Sequence, residues 1–261
     1  MIQVQDFHKA YDATVAVSGL SFEVNGGEIL GLVGPNGAGK TTTLKTISGV
    51  IPQTRGRLTV QGFDVESDSV EVKRRLAYVP DDPQLFPDLT VDQHLGFTAA
   101  AYNVDSADDR AARLLEMFEL TDRRQTRARE LSRGMRQKLA ICCAYLHDPS
   151  AILFDEPLTG LDPRGIRVLK ESICRRAEQG AAVIVSSHLL AMVEDICTHV
   201  LILSTGRNRF FGTTAEMKQQ FATSDEAATL ERIFFLATDE APGEETETVP
   251  HGSQPSVDVP I

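Results

Sequence analysis

The stretch Gly34-Pro35-Asn36-Gly37-Ala38-Gly39-Lys40-Thr41-Thr42 has residue types and spacing suited to holding phosphate. Glycines at 34, 37 and 39 let the backbone curl so that its N–H groups converge on an anion. A helix opening near Lys40 adds a positive N-terminal end. The Lys40 ammonium is expected to reach the terminal phosphates of a nucleotide, and the Thr41 hydroxyl to hold a divalent cation. The apolar run EILGLV just before the loop reads as a strand, which is the context this pattern requires.

Two further stretches have matching chemistry. In AILFDEP, four apolar residues run into Asp155 and Glu156. A strand buried on both faces reads this way, and its C-terminal end is where parallel sheets bind ligands. Asp155 is expected to hold Mg2+ through water, and Glu156 to polarise an attacking water as general base. His188, in VIVSSHLL, follows another apolar run. It reads either as a surface histidine at a strand end or as a hydrogen-bonding partner of the γ-phosphate or the attacking water. Together these stretches imply hydrolysis of a nucleoside triphosphate. A third, LSRGMRQKLA from Leu131 to Ala140, has the parts of a second phosphate-binding helix start without a lysine loop of its own.

Elements that could position these groups are visible around them. MIQVQDF, LSFEVNGGEILGLVG and GRLTVQGFDV read as strands and turns, and TLKTISGV as a helix ending at Gly49. DSADDRAARLLEMFELTD reads as a helix with Ser106 and Asp109 as N-cap and N3, and Ala111, Leu114, Leu115 and Phe118 on its apolar face. The helix after LSRGM is expected to bury Met135, Leu139, Cys142, Cys143 and Leu146. The last third alternates strand and helix: AILF, a helix from Gly165, AAVIVSS, a helix from Leu189, then HVLILSTGRNRFFG. That alternation predicts a parallel sheet covered by helices.

The order GPNGAGKTT, LSRGM, ILFDEP, TGLDP, SSH resembles the nucleotide-binding domain of ABC transporters. The resemblance implies an α/β fold: a P-loop NTPase with a RecA-like parallel sheet core, an N-terminal antiparallel β region and an inserted α-helical subdomain at about 82–150. It covers residues 1–237. It implies ATP and Mg2+ as cofactors, and a second ATP-binding subunit facing the first head to tail, as homodimer or heterodimer. Ser132 and Gly134 would then bind the γ-phosphate held by the other subunit's Lys40, which accounts for the second helix start. The resemblance also places Asp162 at the dimer interface and stacks Tyr11 on the adenine; a core tyrosine is the other reading of Tyr11. It implies an integral-membrane permease as partner and a cytoplasmic location, peripheral on the inner face of the cell membrane.

The chain departs from the family pattern twice. The signature is usually LSGGQ; here Arg133 and Met135 replace Gly and Gln. After AYVP most members have Gln, a ligand of Mg2+; here the position is Asp81, which can still ligate the metal but adds negative charge. Both departures resemble exporter ATPases whose permease is a separate polypeptide. Leu85, Phe86 and Leu89 lie in a Pro-bounded loop beyond Asp81, either capping the domain's own core or receiving a permease helix.

Composition narrows the alternatives. The chain has 261 residues, 42% of them apolar, and a net charge of −11. It shows neither a signal peptide nor an apolar run near the roughly 18–20 residues of a membrane span, so a soluble chain is expected. Cys142, Cys143, Cys174 and Cys197 lack CxxC spacing and read as reduced, buried thiols. The segment 238–261 holds six acids and no Lys or Arg, and its composition predicts a disordered tail. No basic surface remains for nucleic acid, which counts against an alternative ABC-type ATPase acting on ribosomes or DNA.

Overall fold

Two strand populations sort into two sheets. The computed structural model describes residues 1–187 and 190–221. The first strands, β1 (Ile2–Tyr11) and β2 (Thr14–Val24), form an antiparallel hairpin with alternating burial. After β3 (Ile29–Val33) and helix α1 (Lys40–Ile47), β4 (Arg55–Val60) and the short β5 (Phe63–Asp64) return to that sheet, giving the order β2-β1-β4-β5. Helix α2 (Ser69–Arg75) leads into β6 (Leu76–Val79). Helices α3 (Val91–Tyr102), α4 (Ala107–Met117) and α5 (Arg133–Leu146) follow before β7 (Ala151–Asp155). Then come α6 (Pro163–Glu178), β8 (Ala182–Ser186), α7 (Leu190–Ile196), β9 (His199–Ser204), β10 (Arg207–Thr213) and α8 (Thr214–Phe221).

The second sheet runs β10-β9-β3-β8-β7-β6, parallel except for the β9–β10 hairpin at one edge. Its parallel strands are buried on both faces, and period 2 divides their side chains between two cores. Leu30, Leu32, Leu153, Ile184, Leu201 and Leu203 face one core with the antiparallel sheet, Leu44 and Ile47 of α1. Ile29, Val33, Ile152, Phe154, Val183 and Val185 face the other, with α5, α6 and α7. Because β3, β6, β7 and β8 are parallel, their C-terminal ends deliver Gly34, Pro80, Glu156 and Ser187 to one edge of the sheet.

Three details differ from the sequence reading. The residues 91–102, inside the expected helical subdomain but assigned no helix of their own, form α3, whose start carries a reciprocal cap: the Gln93 N–H donates to Thr90 Oγ1 and the Thr90 N–H to Gln93 Oε1. Ser106 does sit at the N-cap of α4, but at φ 52, and its hydroxyl accepts no capping hydrogen bond; a left-handed N-cap does not present the hydroxyl to the N3 amide. Helix α6 opens at Pro163, two residues before Gly165, because Asp162 Oδ1 accepts the Gly165 N–H and Pro fits the first turn. The four cysteines are free: Cys142 and Cys197 buried, Cys143 and Cys174 partly so. Leu189, expected to open α7, and the acidic segment 238–261 lie outside the described residues.

Candidate functional site

Five fully buried residues, Ile29–Val33, hold the base of the phosphate loop. Gly34 leaves the strand so close to β9 that a Cβ there would stand 2.4 Å from the Leu203 carbonyl oxygen. Gly39 has φ +102, and its Cβ would stand 2.7 Å from the Ala16 carbonyl oxygen. These positions therefore take glycine alone. Helix α1 has no side-chain cap and no acid in its first turn, which leaves its leading N–H groups and its positive end to an external anion. Lys40 is 8% exposed, and its Nζ donates to the carbonyls of Gly34 at 2.7 Å and Pro35 at 3.3 Å. Burial lowers its pKa, against the opposing pull of Glu156 and Asp155.

Asp155 ends β7 and is 3% exposed. Register places it opposite Ser186 of β8, whose hydroxyl donates to Asp155 Oδ1 at 2.6 Å. The Tyr78 hydroxyl donates to Oδ2 at 3.3 Å; burial, then the Asp155 charge, raises the tyrosine's pKa. Glu156 has φ 47, unusual for a residue with a side chain. Its N–H donates to the Ser186 carbonyl and hydroxyl oxygens, so β8 anchors the turn that aims it.

A cavity of about 310 Å3 joins these groups: Ala16, Asn36, Gly37, Ala38, Gly39, Lys40, Thr41, Thr42, Asp81, Asp155 and Glu156 line it. Residues from four segments far apart in sequence thus meet at one edge. Ser186, Tyr78 and Ala16 were not singled out from sequence. Only strand register reveals the first two, and a hydroxyl in a β-rich run carries no local signal.

Other expected site residues lie outside that wall. Ser132 is the N-cap of α5, its Oγ accepting the Met135 N–H at 3.2 Å. Gly134 packs so tightly that a Cβ would stand 2.5 Å from the Gly160 carbonyl oxygen. Asp162 caps α6, half-exposed, with Lys138 at 3.5 Å lowering its pKa. Tyr11 is 45% exposed at the β1–β2 turn, which excludes the core reading. His188 lies outside the described residues.

The arrangement suits a nucleotide's phosphates. The sequence profile of the family described as ABC transporter matches residues 17–159. The ABC-type transporter ATP-binding protein EcsA of Bacillus subtilis (strain 168) is 34% identical over 247 residues, 94% of this chain and 99% of its own. This chain belongs to the ABC transporter family. The Nod factor export ATP-binding protein I of Cupriavidus metallidurans is 32% identical over 219 residues, covering 83% of this chain and 72% of that one. A solved structure of the ATP-binding subunit of an ABC transporter superposes with a TM-score of 0.86 at 34% identity, over 91% of this chain and 99% of the other. The family's cassettes are ATPases coupled to transport. Among the described residues no helix is long and apolar enough to cross a membrane.

Proposed function

We propose that this chain powers export through a permease that is a separate polypeptide, by hydrolysing ATP at two sites shared between head-to-tail subunits. The observation that carries this reading is the cavity itself. It gathers Lys40, Thr41, Asp155 and Glu156 on one side, while Ser132 and Gly134 open a second helix start outside its wall. Each chain then has one complete phosphate loop and one helix start that serves another chain's nucleotide.

In this reading Lys40 exchanges its two loop carbonyls for β- and γ-phosphate oxygens, and the loop N–H groups hold the chain of phosphates. Asp155 and Thr41 fit Mg2+ and would hold it: a carboxylate and a hydroxyl on one wall are oxygen donors of the kind this ion takes. Mg2+ would supply charge neutralisation on the phosphates. The hydrogen bonds from Ser186 and Tyr78 fix the orientation of the Asp155 carboxylate. Glu156 takes a proton from the attacking water, His188 orients the γ-phosphate, Tyr11 stacks on adenine, and Asp162 lies at the subunit interface. Asp81 is a further metal-side carboxylate.

The permease contact is the surface beyond Asp81. A 400 Å3 groove there is lined by Leu85, Thr98, Tyr102, Cys143 and His147 among others, and Phe86 and Phe97 stand more than half exposed beside each other. A short amphipathic helix suits such a groove. Docking there would hold the subunit on the inner face of the membrane, and the export-type relative favours outward transport.

Glu156→Gln tests the shared site. Loss of the base is expected to slow hydrolysis by about 10²–10⁴-fold while ATP stays bound, so gel filtration with ATP and Mg2+ should show two chains together. A variant that hydrolyses at the wild-type rate would overturn the assignment of the base.

A further inference from the structure

We propose that Arg133 is a positioning residue for the phosphate cavity: it holds and neutralises the Asp81 carboxylate, so that this rim acid does not repel the incoming triphosphate. The inference rests on the ATP-binding reading above.

The cavity wall carries three carboxylates, Asp81, Asp155 and Glu156, against one ammonium, Lys40. That balance opposes a polyanion unless the acids are compensated. Asp155 is compensated locally, by the hydroxyls of Ser186 and Tyr78. Asp81 receives its partner from 52 residues away: Arg133 Nη2 donates to Asp81 Oδ1 at 3.0 Å.

The arginine is held in place for this. Arg133 is the first residue of α5, directly after the N-cap Ser132. Its side-chain stem lies over Gly160, where a Cβ would stand 3.2 Å from both Cγ and Cδ of Arg133. Gly160 is at φ +79, and Gly134 is pressed against its carbonyl. So the turn after Glu156 forms a floor under Arg133, and the guanidinium joins the Asp81 loop, the α5 start and that turn.

Both partners are nearly half exposed, 48% and 45%, so the pair adds little to folding stability. Its effect is local. It removes one negative charge at the mouth of a cavity that must admit several. Two sequence departures, a carboxylate at 81 and a cation at 133, thereby answer one another.

The test is equilibrium binding of ATP, without Mg2+, to the full isolated chain, where no second subunit contributes. Arg133→Gln is expected to weaken binding about two- to fivefold at low ionic strength, and the gap to close as salt rises past physiological strength. With no Mg2+ present for Asp81 to hold, Asp81→Asn is expected to bind at least as tightly as wild type, the double variant to match Asp81→Asn, and Arg133→Lys to retain wild-type affinity. An unchanged affinity in Arg133→Gln overturns the proposal. A loss that persists in the Asp81→Asn background, or ignores salt, also overturns it, because Arg133 would then touch nucleotide directly or merely prop the loop. Absence of ATP binding by the wild-type chain overturns the nucleotide reading, and the role of the pair with it.

Discussion

At the scale of single residues, Lys40 does the most. A buried ammonium between two carbonyls can exchange those neutral acceptors for charged phosphate oxygens. Hydrogen bonds between ionised partners are roughly twice as strong as neutral ones. Lys40→Ala removes them, together with the ammonium's attraction to Glu156 and Asp155. ATP affinity is expected to fall about 10- to 100-fold, measured by fluorescence titration with a nucleotide analogue. Affinity equal to wild type would place the phosphates elsewhere. The loop was legible in sequence because its nine residues are contiguous and each has a backbone or charge reason to be there. The groups that orient Asp155 were not. Ser186 is 31 residues away and Tyr78 is 77 residues away, and only the parallel pairing of β6, β7 and β8 brings them to the carboxylate.

At the scale of elements, the starts and ends of helices carry function. Helix α5 is flanked by the N-cap Ser132 and the C-cap His147, and the two ends make different predictions. At the start, Ser132→Arg would fill the space assigned to another subunit's γ-phosphate. Turnover by the assembled pair is expected to be lost, while ATP binding to the isolated chain is unchanged. Weakened binding in the isolated chain would contradict the assignment across subunits. At the end, His147 stacks on Tyr102 of α3 with ring centroids 3.9 Å apart. Burial pushes its pKa down to about 4. Above 6.5 the ring is neutral in both the folded and the unfolded chain. As pH falls from 6.5 towards 4 only the unfolded chain gains the proton, so stability is lost over that window. The loss between pH 7 and pH 5 is about 1–2 kcal/mol. His147→Phe keeps the stack without the titration, so its melting temperature should fall less than that of wild type between those pH values. An equal fall would remove His147 from the account. Helix α3 itself had a sequence signal, Thr90 three residues before Gln93, hidden by the Pro-rich run before it. Ser106 shows the converse: a good capping residue type whose backbone does not present the hydroxyl.

At the scale of the whole molecule, the parallel sheet sets out two surfaces, a nucleotide edge and the groove beyond Asp81. The loop after β6 belongs to both: Asp81 lines the cavity, and Pro83, Gln84 and Leu85 line the groove. A displacement of one is therefore felt at the other without any long relay. The sequence left open whether Leu85, Phe86 and Leu89 serve the chain's own core; Leu89 is partly buried, and the other two divide. Leu85 packs against the core. Phe86 is 53% exposed, with Phe97 edge-on at 5.4 Å and His94 at 6.0 Å between ring centroids. An exposed aromatic pair costs little to substitute in the isolated chain, so Phe86→Asp should leave folding and ATP binding intact. At an interface the same change buries a charge without a partner, which costs several kcal/mol in order of magnitude. With the permease coexpressed, the variant is expected to shift from the membrane fraction to the soluble fraction, and transport to fall with it. Full retention on membranes with normal transport would move the permease contact away from Phe86, to another part of the surface built by α3, α4 and α5.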